Sequence, residues 1–398
     1  MTGSDCVPAP ELEKRYLESY AKYDYRPYIS SAKSLKSGLT GWSGTKMAGP
    51  YEYIGPDYWY VDTRLGGAFG FNTETGIGAN IPQLESLKKM IPEDELWPLS
   101  PAWDRQCTTS GDGMNSMSEL TRTINGIYGE ASGLEDYVRK AHAVDYDATR
   151  AMFEAFRVNT PVSTGIVQWM LNSAWPSIYW QQYDWYGVPA AAYYGTKKGC
   201  EPIQLIYNYK DHNVYLVNEG KDVKDVAASI KVYNDKSVLL YEDNCTLGTS
   251  YRNTLKVFDL NRFAGTPHFI FLEIANPDGS LITDNFYSIG ASANKYDWDN
   301  ESWFHSPITE YTDLRFVFSQ PEAEVEMTVE DKDGVYVVKL SNKDDVISPM
   351  NILKAKDSHG NLVVSAYWSD NFFSLFPGQT KTIFCHTKTQ DVNFEITR

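Results

Sequence analysis

At 398 residues the chain exceeds one ordinary domain, and two to three are expected. Hydrophobic residues at 42% and charged residues at 22% exclude disorder as its default state and leave ample material for several cores. A formal net charge of −16 with a pI near 4.9 excludes a nucleic-acid partner, whose phosphates demand basic surface, and suits a neutral or cationic ligand better.

In chain order, Asp5 is followed by Pro8 and Pro10 and then by a helical pattern that puts Leu12, Tyr16, Tyr20 and Tyr23 on one face. An acid just before a helix reads as a strand end, although the strand itself is missing. Short β-like pieces follow around 28–32 and 45–53, the second running into Pro56-Asp57-Tyr58-Trp59-Tyr60. The organising stretch is Gly67 to Gly76. Here apolar Ala68-Phe69-Gly70-Phe71 leads to Glu74, and Gly76, Gly78 and Asn80 form a loop before a helix that opens at Pro82 and carries Leu84, Leu87 and Ile91. A strand that ends on an acid and feeds a helix is how a (β/α)8 barrel presents a catalytic group, because its reactive face lies at the carboxyl ends of the strands. A loop-capping glutamate would read the same way locally.

Residues 97–118 are rich in Ser, Thr, Asp and Gly and read as a looped insertion. From Ser132 a long helix is predicted, with Ser132 and Glu135 spaced as a capping box and Leu134, Tyr137, Val138, Ala141, Ala148, Ala151 and Ala155 at helical spacing. Gly165 to Asn172 reads as a buried strand with an aromatic tail, Trp175 to Trp180, and a helix is expected near 190–199. Beyond Pro202 the pattern changes to short strands parted by turn residues: 203–209, 214–217, 230–233, 238–241, near Val257, 269–274 and 281–287. A polar, aromatic stretch then separates these from a second set at 314–318, 325–329, 335–340, 362–367 and 380–385.

The expected architecture is therefore multidomain, α/β plus all-β. Residues 1–200 form part of a TIM barrel (its strands 4–8 region), 201–295 a β-sandwich, 296–313 a linker and 314–398 a second, C-terminal sandwich. About four strand–helix units make half a barrel, and half a barrel leaves two sheet edges open, which natural folds avoid. The expectation is a fragment of a longer protein, with the missing N-terminal half of its own barrel as a partner; completion by another chain is the alternative.

Two carboxylates at different strand ends, Asp5 and Glu74, meet the requirement of retaining glycoside hydrolysis. One attacks the anomeric carbon and the other protonates the leaving oxygen, which calls for a separation of about 5–5.5 Å. Glu52, Asp57, Asp62 and Asp184 also sit near strand ends and compete. Aromatic residues reach 14%, with 28 Tyr and 11 Trp, and flat rings with polar edges suit sugar faces as well as β-rich cores. The rings placed near the sugar are Tyr51, Trp59, Trp169 and Trp175, with Asn172 beside them; each ring taken singly also fits core packing. Five scattered cysteines (Cys6, Cys107, Cys200, Cys245, Cys385) show no C-x-x-C pair and are expected as structural thiols. The histidines lack ligand spacing, so no metal and no cofactor are expected, and no apolar run is long enough to span a membrane.

Several stretches resemble glycoside hydrolase family 2: Gly3-Ser-Asp5, Gly49-Pro-Tyr51 with Tyr58-Trp59-Tyr60, Gly66 to Thr75, Ser163-Thr-Gly with Gln168 to Asn172 and Trp175-Pro176, and Tyr194 to Lys198 with Glu201-Pro202. The likeness is strongest to its exo-β-D-glucosaminidase branch and to the related β-mannosidases. Tyr296-Asp-Trp298 and Asp370 to Gly378 extend it over nearly the whole chain. The resemblance implies a five-domain enzyme with two immunoglobulin-like sandwiches after the barrel, of which this chain is the C-terminal portion. It implies Asp5 as general acid/base, Glu74 as nucleophile, and release of glucosamine from the non-reducing ends of chitosan oligosaccharides. Most of the family reads Asn-Glu where this chain has Ser4-Asp5, and the Ser-Asp form resembles the glucosaminidase branch. β-Mannosidase activity, or a catalytically silent sugar-binding or structural module, are the alternatives. Degradation of a polymer would put the parent enzyme outside the cytoplasm, secreted or periplasmic.

Overall fold

In the computed structural model, residues 6–107 and 117–398 are described. Asp5 and the Ser/Thr/Asp/Gly-rich heart of the expected insertion, 108–116, lie outside them.

Helix α1 (Pro10–Tyr23) opens on a proline, whose missing N–H costs nothing at that position. Its predicted apolar face is turned the other way: Leu12, Tyr16 and Tyr23 are exposed and Glu13 is buried. Glu13 accepts hydrogen bonds from Ser37 and, at 2.8 Å, from Thr40, which ties α1 to a small antiparallel hairpin, β1 (Lys36–Ser37) and β2 (Gly41–Trp42). A helical turn, α2 (Tyr58–Val61), then leads to strand β3 (Gly70–Thr75). Helices α3 (Leu84–Met90), α4 (Pro101–Gln106), α5 (Met117–Tyr128) and α6 (Leu134–Val158) separate β3 from its parallel neighbour β4 (Ser163–Gln168), and α7 (Ala191–Gly199) follows.

The strand expected over 45–53 survives as a single parallel bridge between Lys46 and Asn72, flanked by two 2.8 Å backbone bonds, Lys46 N–H to Phe71 and Thr73 N–H to Lys46. Gly49, at φ +57°, and Pro50, which has no N–H, end the ladder there. Part of the expected loop at 97–118 is helical, because Ser100 caps α4 by accepting the Ala102 N–H at 3.1 Å and Pro101 fills its first turn. Helix α5, which the sequence reading passed over, buries Met117, Leu120, Ile124 and Ile127. The capping box at Ser132 is not formed either: Gly133 takes the cap position, and Asp136 accepts from the Ser132 N–H at 2.9 Å.

Strands β5 (Ile203–Asn208), β6 (Asn213–Asn218), β7 (Val223–Asn234), β8 (Leu239–Thr249), β9 (Asn253–Asp259), β10 (His268–Ala275) and β11 (Leu281–Ile289) form two antiparallel sheets, ordered β5-β6-β9 and β11-β10-β7-β8. Leu205, Leu216, Ile230, Val232, Ile270 and Leu272 from both sheets share one core. The stretch expected as a linker holds the pair β12 (Lys295–Tyr296) and β13 (Ile308–Glu310) and is packed against residues 49–66. Where a strand was expected at 314–318 there is a turn of helix, α8 (Arg315–Phe318), started by Asp313, which accepts the Arg315 N–H at 3.0 Å.

The last region contains β14 (Val325–Lys332), β15 (Val335–Asn342), β16 (Ser348–Lys356), β17 (Tyr367–Trp368), β18 (Phe373–Leu375), β19 (Thr380–His386) and β20 (Asn393–Thr397). Its sheets are β14-β15-β19-β17 and β18-β16-β20. Strand β16 is buried along nearly its whole length although it carries Ser348, Asn351 and Lys354, and that polarity hides it from a pattern search.

Helix α6 holds the parts together. Its Glu154 is fully buried and accepts from Gln204 at 3.0 Å, Asn285 at 2.7 Å and the Tyr287 hydroxyl at 3.0 Å. The neighbouring Arg150 donates to the Phe286 carbonyl and pairs with Asp147 at 2.9 Å. At a second junction Lys198 of α7 meets Asp284 of β11 at 3.1 Å, and Lys381 of β19 pairs with Asp284 and, at 2.9 Å, with Asp370.

Candidate active site

Glu74 stands at the carboxyl end of β3, where the register with β4 slips. Asn72 pairs with Ile166 and Thr75 with Gln168, so β3 holds one residue more than its partner between these points. A bulge of this kind re-aims the side chains within it. Glu74 is half-buried, and the Tyr51 hydroxyl donates to its Oε1 at 2.7 Å. Burial, and after it the nearby Glu74 carboxylate, push the Tyr51 hydroxyl far above its ordinary range, so it remains a donor and holds the carboxylate in one orientation.

The Tyr51 ring is only 4% exposed. It is packed edge-on against Trp180 and Trp303 and stacked on Phe304, with centroids 5.8, 5.5 and 5.7 Å away. Trp180 donates its indole N–H to the Tyr51 carbonyl at 2.6 Å, and the Tyr51 N–H bonds the Phe304 carbonyl at 2.7 Å. Two glycines permit this crowding. A Cβ on Gly76 would lie 2.2 Å from the Trp169 carbonyl oxygen, and one on Gly49 would lie 2.1 Å from that of Trp303.

Of the residues expected near a sugar, Tyr51 reaches Glu74, but as a hydroxyl donor from an enclosed ring. Trp169 stands beside the strand end, its N–H bonded to the Thr75 carbonyl at 2.7 Å and its side chain 43% exposed. Asn172 is exposed and pairs with Tyr183 through a backbone bridge, and Trp175 is exposed on the same excursion. Trp59 is a correction: it is 1% exposed and packed against Tyr58 and Phe156, so no ligand can touch it.

The competing acids are occupied elsewhere. Asp57 accepts from Asn294 and the Tyr296 hydroxyl, both at 2.7 Å, and Asp62 accepts the N–H groups of Arg64, Leu65 and Gly67. Asp184 accepts the Val188 N–H at 2.9 Å, and Glu52 is buried against Tyr179. Sequence reasoning missed Trp180 and the pair Trp303 and Phe304. Trp180 ends the aromatic tail at 175–180, whereas Trp303 and Phe304 lie in the stretch expected as a linker, where no local pattern marks them. Among the described residues, no three His, Cys, Asp or Glu side chains are grouped to hold a metal.

This arrangement has recognisable kin. A family model described as the exo-β-D-glucosaminidase Ig-fold domain matches residues 303–397. Exo-β-D-glucosaminidase of Streptomyces avermitilis is 31% identical over 99% of this chain and 46% of that protein. The crystal structure of Amycolatopsis orientalis exo-chitosanase CsxA superposes with a TM-score of 0.90 at 28% identity, over 98% of this chain and 49% of that one, and a single-substitution variant of that enzyme has been crystallised with PNP-β-D-glucosamine. A mannosylglycoprotein endo-β-mannosidase of Lilium longiflorum is 24% identical over 72% of this chain and 31% of that protein. The chain spans about half the length of the curated glucosaminidases it matches. The resemblance read from the motifs therefore holds: over its whole length this chain is a relative of the exo-β-D-glucosaminidases, with more distant mannosidase kin, and it carries their immunoglobulin-fold domain.

Proposed function

We propose that this chain carries the nucleophile half of a retaining exo-β-D-glucosaminidase. In this reading residues 1–200 are the second half of a (β/α)8 barrel, 201–295 and 314–398 are immunoglobulin-like sandwiches, and 296–313 link them. The parallel order of the 46 segment, β3 and β4, with helices between, supports the barrel. So do the apolar side chains left bare at both of its edges.

The observation that carries the function is the Tyr51 hydroxyl on Glu74 at a bulged strand end, in a chain related to glucosaminidases. A carboxylate fixed by a neutral donor keeps one oxygen free to attack an anomeric carbon. Asp5 protonates the glycosidic oxygen as the glycosyl–Glu74 ester forms, then takes a proton from water as the ester is hydrolysed. Trp169 and Trp175 offer exposed rings to the sugar, and Asn172 a polar edge. The net charge of −16 suits a substrate bearing 2-ammonium groups.

The test is turnover of an aryl β-glucosaminide by the full polypeptide with Glu74→Gln. Loss of at least about 10³-fold is expected of a missing nucleophile; near-normal turnover would end the reading. The lily relative supports a second one, a β-mannosidase, in which aryl β-mannoside is cleaved faster and Glu74 keeps its role.

A further inference from the structure

A cavity of about 330 Å³ lies where α5, α6, residues 53–61, the first sandwich and residues 288–294 meet. None of the side chains that surround Glu74 lines it. Tyr53, Tyr128 and Tyr209 do, and the first two are 7% and 6% exposed. Among the described residues no hydrogen bond is found for these hydroxyls, and none of the three is a fully enclosed unpartnered atom, so they keep contact with the space they line. Three hydroxyls with hydrogen-bonding capacity to spare therefore line a single space that a polar molecule could enter.

Asp147 adds a carboxylate to the polar side, balanced by Arg150 at 2.9 Å, so it offers acceptor lone pairs at little net charge. The other carboxylate, Asp57, is taken up by Asn294 and Tyr296. Lys210 and His212 border the space, with His212 Nδ1 bonded to the Tyr207 hydroxyl at 2.7 Å. Paired carboxylates disfavour an anion, and a lysine at the border disfavours a cation. The remaining wall, Ile127, Val144, Ile289 and Leu314, is apolar. The volume sits near the lower end of the roughly 300–1,000 Å³ typical of small-molecule sites.

We propose that this cavity binds a neutral, hydroxyl-rich molecule of monosaccharide size, its apolar face on Ile127, Val144 and Ile289 and its hydroxyl edge on Tyr53, Tyr128 and Tyr209. The site is separate from Glu74 and does not depend on the reading of that residue. It also joins α6 to residues 288–294, so an occupant would stiffen the seam between the α/β region and the first sandwich.

The test is calorimetric titration of this chain with glycerol and D-glucose as neutral probes, D-glucosamine as cation and gluconate as anion. The variants are Tyr128→Phe, Tyr209→Phe, Glu74→Gln and Ala293→Phe, the last filling the cavity from an exposed position. Saturable binding of a neutral probe is expected, weakened about fivefold or more by each lost hydroxyl, blocked by Ala293→Phe and unchanged by Glu74→Gln. The proposal is overturned if no neutral probe saturates, if a charged probe binds tighter, or if Glu74→Gln abolishes binding while the tyrosine and alanine variants leave it intact.

Discussion

Where α6 and α7 meet the β regions beyond residue 202, buried charge is paired: Glu154 takes three donors, Arg150 is paired with Asp147, and Lys198 and Lys381 face Asp284, Asp370 and Glu201. In β4 and on either side of it, Val162, Val167 and Leu171 stand in solvent, and near α1 so do Tyr25 and Ile29. Both boundaries belong to the same α/β region, yet one is covered and the other is bare. A finished interface satisfies its polar groups. An open edge leaves apolar side chains and a strand without a second neighbour, which a stable fold covers.

The contrast predicts that perturbing the seams is costly and perturbing the edges is not. The largest effect belongs to Asp284→Ala. Burial alone would raise the Asp284 carboxyl, but Lys381 and then Lys198 outweigh it and hold it well below the usual carboxylate range. Its removal takes away the carboxylate that both buried ammonium groups share and leaves them Asp370 and the more exposed Glu201, a loss of about 3–5 kcal/mol measurable by urea unfolding. Since the folded carboxyl titrates below its unfolded value of 3.8, its contribution is complete above that pH and is lost on acidification.

Next comes His142, buried between Pro82 and the Phe372 ring on the seam with the last region. Burial lowers it from 6.5 to about 4. Below pH 6.5 the unfolded chain takes up a proton that the fold refuses, so stability should fall across this window, approaching about 3 kcal/mol in total. In His142→Gln the dependence should flatten between pH 7 and 4; an unchanged slope would place the titration elsewhere.

The smallest effect is expected at the edge. Leu171→Lys should shift the unfolding free energy of this chain by no more than about 0.5 kcal/mol, as at other exposed positions. In a longer polypeptide that completed the proposed barrel the same change should cost more, because a covering strand would then bury the lysine. Equal effects in both would mean that this edge stays open.

Much of this was legible from the residues. The 70–75 strand, the long helix from 134 and most of the first sandwich follow from spacing and turn chemistry, whereas the buried strand expected over 165–172 is the shorter β4, most of whose residues are half-buried or exposed. Glu74 was readable because a glycine-rich apolar run ends on an acid. What stayed hidden depends on tertiary contact. The burial of Trp59 and the exposure of Leu12 and Tyr16 depend on which neighbour a face meets. Strand β16 mixes polar residues into a fully buried segment, and Trp303 reaches Tyr51 from a stretch that looks like a linker. The bulge that turns Glu74 depends on its register with β4, 90 or more residues away, which no local pattern encodes.

Covalent trapping tests the account most directly. The full polypeptide would be incubated with a fluorinated glucosaminyl fluoride that reacts quickly and is released slowly, then digested and sequenced by mass spectrometry. The account predicts one glycosyl unit esterified to Glu74, and none when Glu74→Gln is treated alike. A label on any other carboxylate, or steady turnover with no trapped ester, would contradict it.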